Sequence, residues 1–339
     1  MIGPIRTPAQ QLVTVFGGSG FLGRYVVSAL AKRGYRIRIA TRQPNRATLL
    51  AQGSVGQIQG VQANLRDRDS VARAVAGADH VINLVGILKE GGRQRFDSIQ
   101  ANGPRLIAEL APAHATLVHI SALGADPRSE SSYARSKAAG EAAVFQARPD
   151  AVIFRPSLMF GQGDSFFNRF AGLARMLPVL PLAGADTRMQ PVYVADVAEA
   201  IVQAVEGKVP GGKIYECGGP ETRTFRDLVQ YVLDVTERSR LILSLPSPVA
   251  RAQGTVLGFL DRISLGLLPE SVVMTRDQAI LLEADNVVSE EARRDGRTLE
   301  GIGIIPDSFE AIVPSYILRF RKTGQFDLRR NAAPGPAPK

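Results

Sequence analysis

Apolar runs of five or six residues alternate with amphipathic stretches along the first half of the chain. The runs suit buried strands, and the stretches repeat with the 3.6-residue period of a helix. The pattern predicts strands at 12–16, 36–41, 57–62, 80–85, 116–121 and 151–155, and helices at 21–32, 44–52, 70–76, 96–110 and 133–146. Because strands that alternate with helices form βαβ units, we expect an α/β fold with a doubly wound parallel sheet and helices on both faces.

The alternation breaks after Arg155-Pro156, where a smaller C-terminal α/β lobe is predicted to begin. The later elements are a helix at 168–177, a helix that ends at 205 and is opened by a capping box of Asp196 and Glu199, a strand at 214–217, and helices at 224–236 and 276–283. We therefore expect a first domain over 10–160, to which residues 190–220 return. A lobe over 161–320 and a basic, largely disordered tail over 321–339 follow.

Residues 249–268 carry apolar side chains at spacings of three and four, which predicts an amphipathic helix. Such a helix can cover the lobe, or it can lie on a membrane surface or in a partner's groove. Six Lys or Arg residues and one acid between 319 and 339 favour an anionic lipid surface. The chain has no run of 18 apolar residues and no secretory signal at its start, so we expect neither a membrane span nor export.

Composition narrows the class of protein. With 339 residues, 45% hydrophobic and 22% charged, the chain is typical of globular proteins. One cysteine and three scattered histidines give no metal-ligand spacing, so we expect no metal. The net charge of +9 is concentrated at the chain ends, and residues 1–66 contain no acid. Because aromatic residues make up only 6% and no recognition motif occurs, we expect no nucleic-acid partner.

A glycine-rich turn joins the first predicted strand to the first predicted helix. Its sequence is Gly17-Gly18-Ser19-Gly20-Phe21-Leu22-Gly23. Glycines let the main chain approach a pyrophosphate closely, and the helix N-terminus offers unpaired N–H groups. A turn of this kind can also serve only to reverse the chain. Its position at the start of the alternating half favours nucleotide binding by a Rossmann-type domain.

The end of the second predicted strand indicates which dinucleotide is bound. Sites for NAD place an acid there to hold the ribose 2′-hydroxyl, but this chain has Arg42 and, one turn later, Arg46. Arginine pairs well with a 2′-phosphate, so NADP(H) is favoured over a reading of Arg42 as a solvated surface residue. Asn64-Leu65 would meet the adenine, and Val85-Gly86 would pack on the nicotinamide side.

Three further residues form a candidate catalytic group. Ser121 ends the fifth predicted strand, and Tyr133 and Lys137 lie four apart on one face of a helix. A lysine ammonium stabilises a neighbouring phenolate, so such a tyrosine can serve as a general acid or base beside a nicotinamide. The Tyr-x-x-x-Lys pattern also arises by chance. Its position in the predicted nucleotide fold, on the helix after the fifth strand, favours a role in catalysis.

Together these motifs resemble the extended and atypical short-chain dehydrogenase/reductases. The resemblance rests on the glycine turn, Ser121, Tyr133-Ala-Arg-Ser-Lys137, Arg155-Pro156, Phe160-Gly161 and Val192-Tyr193-Val194-Ala195-Asp196-Val197-Ala198. Residues 16–27, 83–88 and 155–161 are similar to a narrower group, the nucleotide-binding accessory subunits of respiratory complex I (alpha-subcomplex subunit nine) and their bacterial counterparts. The resemblance covers residues 12–240 well and the rest in general character.

This resemblance implies a structural NADPH in an accessory subunit of NADH:ubiquinone oxidoreductase, at the junction of the peripheral and membrane arms. The expected partners are other complex I subunits near the quinone-binding region, on the cytoplasmic face of a bacterial inner membrane. The cofactor-binding residues would be Gly17, Gly18, Ser19, Gly20, Phe21, Leu22, Arg42, Arg46, Asn64, Leu65, Val85, Gly86, Tyr133, Lys137 and Pro156.

The same resemblance makes Ser121, Tyr133 and Lys137 vestigial, with no turnover of the subunit's own. All three groups are nevertheless present in this chain. The alternative is therefore a free-standing NADP-dependent reductase, or a sugar-nucleotide epimerase or dehydratase of the extended type.

Overall fold

Strands and helices alternate along the chain in a computed structural model that describes residues 6–44, 52–88, 90–92, 94–246, 275–322 and 324. The strands are β1 (Leu12–Phe16), β2 (Arg36–Thr41), β3 (Ile58–Gln62), β4 (His80–Asn83), β5 (Thr116–Ile120), β6 (Val152–Pro156), β7 (Met159–Phe160), β8 (Val179–Ala183), β9 (Arg188–Met189), β10 (Val192–Tyr193), β11 (Lys213–Cys217), β12 (Arg223–Thr224) and β13 (Leu241–Leu245). The helices are α1 (Phe21–Lys32), α2 (Arg68–Val75), α3 (Asn102–Leu110), α4 (Ser132–Ala147), α5 (Phe166–Met176), α6 (Val194–Val205), α7 (Phe225–Val235), α8 (Arg276–Leu281), α9 (Glu290–Arg294), α10 (Phe309–Ile312) and α11 (Pro314–Ile317).

Within these residues, seven strands pair in parallel in the order β3-β2-β1-β4-β5-β6-β11. Their apolar side chains are buried on both faces, as in parallel sheets covered by helices. Helices α1 and α6 cover one face, and α2, α3 and α4 cover the other. The predicted Rossmann-type fold class is thus confirmed. The strand order reverses between β1 and β4, where such sheets leave a crevice at their carboxyl edge.

Local boundaries differ from the predicted ones around β4 and α3. Strand β4 ends at Asn83 rather than at 85, because the Asn83 side chain accepts the Val85 amide at 3.1 Å. The predicted helix 96–110 is a π-helical turn at Asp97–Ala101 followed by α3. Ser121 comes directly after β5 instead of ending it.

The predicted capping box of Asp196 and Glu199 is wrong. Helix α6 begins at Val194, so both residues lie inside it. Their side chains bond residues from distant parts of the sequence instead of capping the helix. Asp196 accepts the Asp307 amide at 2.9 Å, and Glu199 pairs with Arg33 at 2.7 Å.

Three predicted segments lie wholly or largely outside the described residues. Most of the predicted helix 44–52, the amphipathic stretch 249–268 and the tail beyond residue 324 belong to the parts of the chain that the structure does not describe.

A second apolar core holds the lobe together. Helices α5 and α7 pack on each other and on α10 and α11, through aromatic contacts such as the stacked rings of Phe167 and Phe309, 6.1 Å apart. Strand β13 pairs in parallel with β8 at the outside of this lobe. Strand β11 returns to the main sheet beside β6, so the chain visits the lobe both before and after completing the sheet.

A buried ion network joins helix α4 to the sheet. The Arg155 guanidinium donates to both oxygens of Glu141, at 2.8 and 2.6 Å, and lies 3.9 Å from Glu216. Glu216 in turn accepts the Ser289 amide at 2.7 Å. The network therefore ties α4, β6, β11 and the start of α9 together. The hydrogen bonds to Glu141 raise the pKa of Arg155, so this cation keeps its proton.

We expect Arg155→Ala to lower the free energy of unfolding by about 3 kcal/mol, because it strands the Glu141 carboxylate in a buried position. Arg188→Ala is the matched control, since its ion pair with Asp285 is exposed and should contribute less than about 1 kcal/mol. Urea denaturation of both variants makes the comparison. Equal losses would mean that burial of the network adds nothing to stability.

Candidate functional site

The glycine turn lies at the carboxyl end of β1, beside the point where strand order reverses. Gly17 has φ +78°, and a Cβ there would lie 3.1 Å from the Leu84 carbonyl carbon. A Cβ on Gly23 would lie 2.3 Å from the Gly17 carbonyl oxygen. The first turn of α1 therefore packs directly against the glycine turn. Its N-cap, Gly20, supplies no side-chain cap, which leaves the first amides of α1 free for an anion.

The other predicted site residues, which are the cofactor-binding set and the catalytic candidate Ser121, follow the strands at the same edge of the sheet. Gly17 to Leu22 follow β1, Arg42 follows β2, Asn64 and Leu65 follow β3, Val85 and Gly86 follow β4, Ser121 follows β5, and Pro156 ends β6. Gly18, Leu22 and Leu65 are buried, so they support this edge from beneath. Arg46 lies outside the described residues.

Arg42 stands exposed at the end of β2, level with the glycine turn. The register of β1 and β2 sets Phe16 beside Ala40, two residues before Arg42. The neighbours Thr41 and Gln43 are uncharged, so a cation and no carboxylate occupies this end of the strand. The position suits a phosphate on the adenosine ribose better than a bare hydroxyl.

Lys137 and Tyr133 reach the same edge from helix α4. The Lys137 ammonium donates to the Ile120 carbonyl at 3.2 Å and lies 5.9 Å from the centre of the Tyr133 ring. A Cβ on Gly86 would come within 3.3 Å of the Lys137 Nζ, so this ammonium lies directly below the end of β4. Ser121 Oγ is buried and has no hydrogen-bond partner among the described residues. An unpaired buried hydroxyl at this place fits a polar ligand group.

Burial shifts the pKa values of Tyr133, Lys137 and His119. It raises the pKa of Tyr133 to about 12 and lowers that of Lys137 to about 8, although the Glu141 carboxylate opposes the second shift. Burial, and then the charge of Lys137, lower the pKa of His119 to about 3. The sequence predicted a tyrosine that loses its proton readily. Instead the ammonium is bound to a main-chain carbonyl, and the phenol stays protonated at neutral pH.

Sequence reasoning missed several residues around this group. Asn83 contacts His119 through Nδ2 and Nδ1 at 3.1 Å, and the Phe96 ring meets Tyr133 edge to face at 5.9 Å. Alternation along β5 could have identified His119, because residues two apart point to the same face of a sheet. No local signal marks Asp277, which bonds the Tyr133 amide from 144 residues away.

The described residues contain neither a metal-binding cluster nor a membrane-spanning helix. No group of three His, Cys, Asp or Glu side chains in those ranges could hold a metal ion. None of the described helices is long and apolar enough to cross a membrane.

Comparison with known proteins identifies the family. The sequence profile of the NAD dependent epimerase/dehydratase family matches residues 13–218, which run from β1 to β11. NADH dehydrogenase (ubiquinone) 1 alpha subcomplex subunit 9, mitochondrial, of Arabidopsis thaliana is 33% identical over 320 residues, covering 92% of this chain and 79% of that protein. The Rattus norvegicus protein of the same name is 35% identical over 304 residues, 88% of this chain and 78% of that protein.

Enzymes are also among the similar proteins. A ceramide reductase of Caulobacter vibrioides is 31% identical over 252 residues, 74% of this chain and 78% of that enzyme. The crystal structure of the NADPH-dependent quinone oxidoreductase QOR2 of Escherichia coli, complexed with NADPH, has a TM-score of 0.67 at 19% identity, over 90% of this chain and 99% of that one, and so shares the fold. The resemblance seen in the motifs is confirmed, and the chain belongs to the NAD dependent epimerase/dehydratase family.

Proposed function

We propose that this protein is an accessory subunit of an NADH:ubiquinone oxidoreductase that holds NADPH as a structural cofactor and has no turnover of its own. The observation that carries the proposal is the extent of the similarity to subunit 9. It covers 88–92% of the chain, whereas the family profile ends at residue 218. The likeness therefore includes the C-terminal lobe as well as the nucleotide fold.

The residues at the carboxyl edge of the sheet fit NADPH. The free amides of the glycine turn and α1 would bind the pyrophosphate, and Arg42 would bind the 2′-phosphate. Asn64 would meet the adenine, and Gly86 with Lys137 would lie against the nicotinamide half. When bound, NADPH supplies a hydride donor, but a cofactor can equally act by stabilising the folded state that binds it.

The surroundings of Tyr133 fit either role. Burial raises its pKa to about 12, so the phenol is a poor base at neutral pH but keeps a proton that it can donate, and its neighbour Lys137 is engaged by the Ile120 carbonyl. The presence of Ser121, Tyr133 and Lys137, together with the similarity to a reductase, supports the alternative, a free-standing NADP-dependent reductase or an epimerase or dehydratase. Such an enzyme would use the buried phenol as a proton donor.

The lobe offers a surface for peripheral attachment to a membrane. Strands β8 and β13 pair with Leu241 beside Val179 and Leu243 beside Pro181, and all four side chains are exposed. We call these four residues the leucine face; Leu241 is 64% and Leu243 49% exposed. Exposed leucines clustered on one strand face favour an apolar contact with a partner or a lipid layer.

Two arginines lie beside the leucine face. Arg240 directly precedes Leu241 and donates to the Ala174 carbonyl at 2.8 Å, and Arg226 donates to the Ser244 hydroxyl of β13. An apolar face with a cationic rim matches an anionic lipid surface. We therefore propose that the subunit lies on the cytoplasmic face of a bacterial inner membrane, among the complex I subunits near the quinone-binding region.

NADPH rather than NADH should remain bound to the purified protein, and Arg42→Asp should weaken its binding. Loss of a charge-assisted pair and gain of a repulsion correspond to roughly 10- to 100-fold in affinity. Arg36→Asp is the matched control, because Arg36 is exposed at the opposite end of the same strand. Calorimetric titration of both variants with NADPH and NADH provides the test. Bound NADH alone, or equal losses in the two variants, would contradict the charge argument.

Tyr133→Phe should leave quinone reduction by the parent complex within about twofold, because the structural role needs no proton transfer. Gly20→Asp should instead deplete the assembled complex. A Cβ at Gly20 has only one close contact, 3.2 Å from the Gly17 oxygen, so the main effect is a carboxylate at the phosphate position. Native gels and membrane activity distinguish the two. If Tyr133→Phe abolished quinone reduction with assembly and NADPH intact, the enzyme alternative would replace this proposal.

Leu241→Glu and Leu243→Glu should release the subunit from membranes at low salt, whereas the wild type should need detergent. Val55→Glu is the control, because Val55 is also apolar and is fully exposed but lies near β3. High salt should weaken the charged contribution, since the Debye length falls to about 3 Å at 1 M. Sedimentation with anionic vesicles measures lipid binding alone. Retention by complex I subunits without vesicle binding would identify a protein partner and rule out lipid.

A further inference from the structure

Helix α8 of the C-terminal segment contacts the helix that carries Tyr133 and Lys137. The Asp277 carboxylate accepts the Ser131 hydroxyl at 2.8 Å, the Ser132 amide at 2.7 Å and the Tyr133 amide at 3.2 Å. These three donors are the N-cap and first two residues of α4. One side chain from a distant part of the sequence thus accepts the hydrogen bonds of the donors at the start of the helix.

The first amides of any helix lack partners inside that helix. In α4 the Ser131 hydroxyl accepts the Ala134 amide at 3.2 Å, which leaves the Ser132 and Tyr133 amides to Asp277. A carboxylate also complements the positive end of the helix dipole. Asp277 therefore completes the cap and fixes the main chain of Tyr133 itself. Lys137 follows one turn later on the same helix face.

Helix α8 is anchored to the lobe by other contacts. Ala279 is buried with Ala183 of β8, where Leu282 and Leu245 also pack, and the Thr187 hydroxyl donates to the Leu282 carbonyl. An open recess of about 660 Å³ lies beside the contact, lined by Glu130, Ser132, Arg276, Asp277 and Ile280. The bond between the two helices is therefore a local contact at the edge of a cleft.

We propose that Asp277 is a positioning residue that couples docking of the segment 275–283 to nucleotide binding. The docked carboxylate holds Tyr133 and Lys137 where NADPH would meet them, so docking raises the affinity for NADPH. Because coupling between two binding events is reciprocal, bound NADPH strengthens docking by the same factor. The lobe thereby senses whether the nucleotide is present. This inference rests on the nucleotide site proposed above.

The test compares Asp277→Ala and Asp277→Asn with Asp285→Ala in the full chain. Asp285 belongs to the same segment but binds Arg188 of β9, away from α4. A capping side chain corresponds to roughly 5- to 30-fold in an equilibrium constant, so Asp277→Ala should raise the Kd for NADPH by that factor. Asp277→Asn keeps one of the two acceptor oxygens and loses the charge, so it should recover only part of the affinity, and Asp285→Ala should stay within about twofold.

Hydrogen exchange supplies the readout that a purely structural residue would not change. In the wild type, NADPH should slow exchange across 275–283, and Asp277→Ala should remove that effect and speed exchange of the Ser132 and Tyr133 amides without nucleotide. Unchanged affinity with unchanged exchange at α4 would overturn the inference. If the wild type bound no NADPH, the proposed function would fail, and unchanged exchange of the α4 amides without nucleotide would then refute the positioning role separately.

Discussion

The placement of helix α4 against the sheet is the constraint on which the rest of this molecule depends. Polar contacts that set it include Asp277 at the first turn, the Lys137 bond to Ile120, the buried pair of Glu141 with Arg155, and Arg148, which donates to the Ala115 carbonyl at 2.6 Å. Close packing adds to them, because a Cβ on Gly140 would lie 2.1 Å from the Gln100 carbonyl oxygen. Contacts along the whole length of α4 thus set where Tyr133 and Lys137 lie, and Asp277 holds the first turn.

Burial sets the protonation of Tyr133 and Lys137, which the Tyr-x-x-x-Lys motif alone does not specify. A tyrosine and a lysine four residues apart can form an acid–base pair, but here the ammonium lies under the end of β4 and the phenol packs against Phe96. Desolvation opposes charge on both groups, and the phenol, which must lose a proton to become charged, stays neutral. Tyr133, Lys137 and Ser121 can thus serve an enzyme, with the neutral phenol as proton donor, or a cofactor holder.

Sequence reasoning succeeded where the signal is local. Apolar periodicity identified the seven parallel strands, since most are short runs with buried side chains, and the glycine turn was found because its spacing is what lets the main chain approach a pyrophosphate. It failed where a partner comes from far along the chain. Asp196 and Glu199 have the spacing of a capping box, yet Asp307 and Arg33 bind them. The protonation of Tyr133 and the role of Asp277 likewise follow from tertiary contacts, which no window of sequence contains.

The lobe connects its exposed surface to the nucleotide site through one small core. Ala183 of β8, Ala279 of α8, and the partly buried Leu245 and Leu282 pack together. Strand β13, which carries Leu241 and Leu243 outward, ends at Leu245, and α8, which carries Asp277, ends at Leu281. A partner on the leucine face would therefore contact a strand that shares a core with the helix capping α4. Because tightly packed cores transmit strain, this physical link would give a nucleotide held as proposed a way to influence assembly.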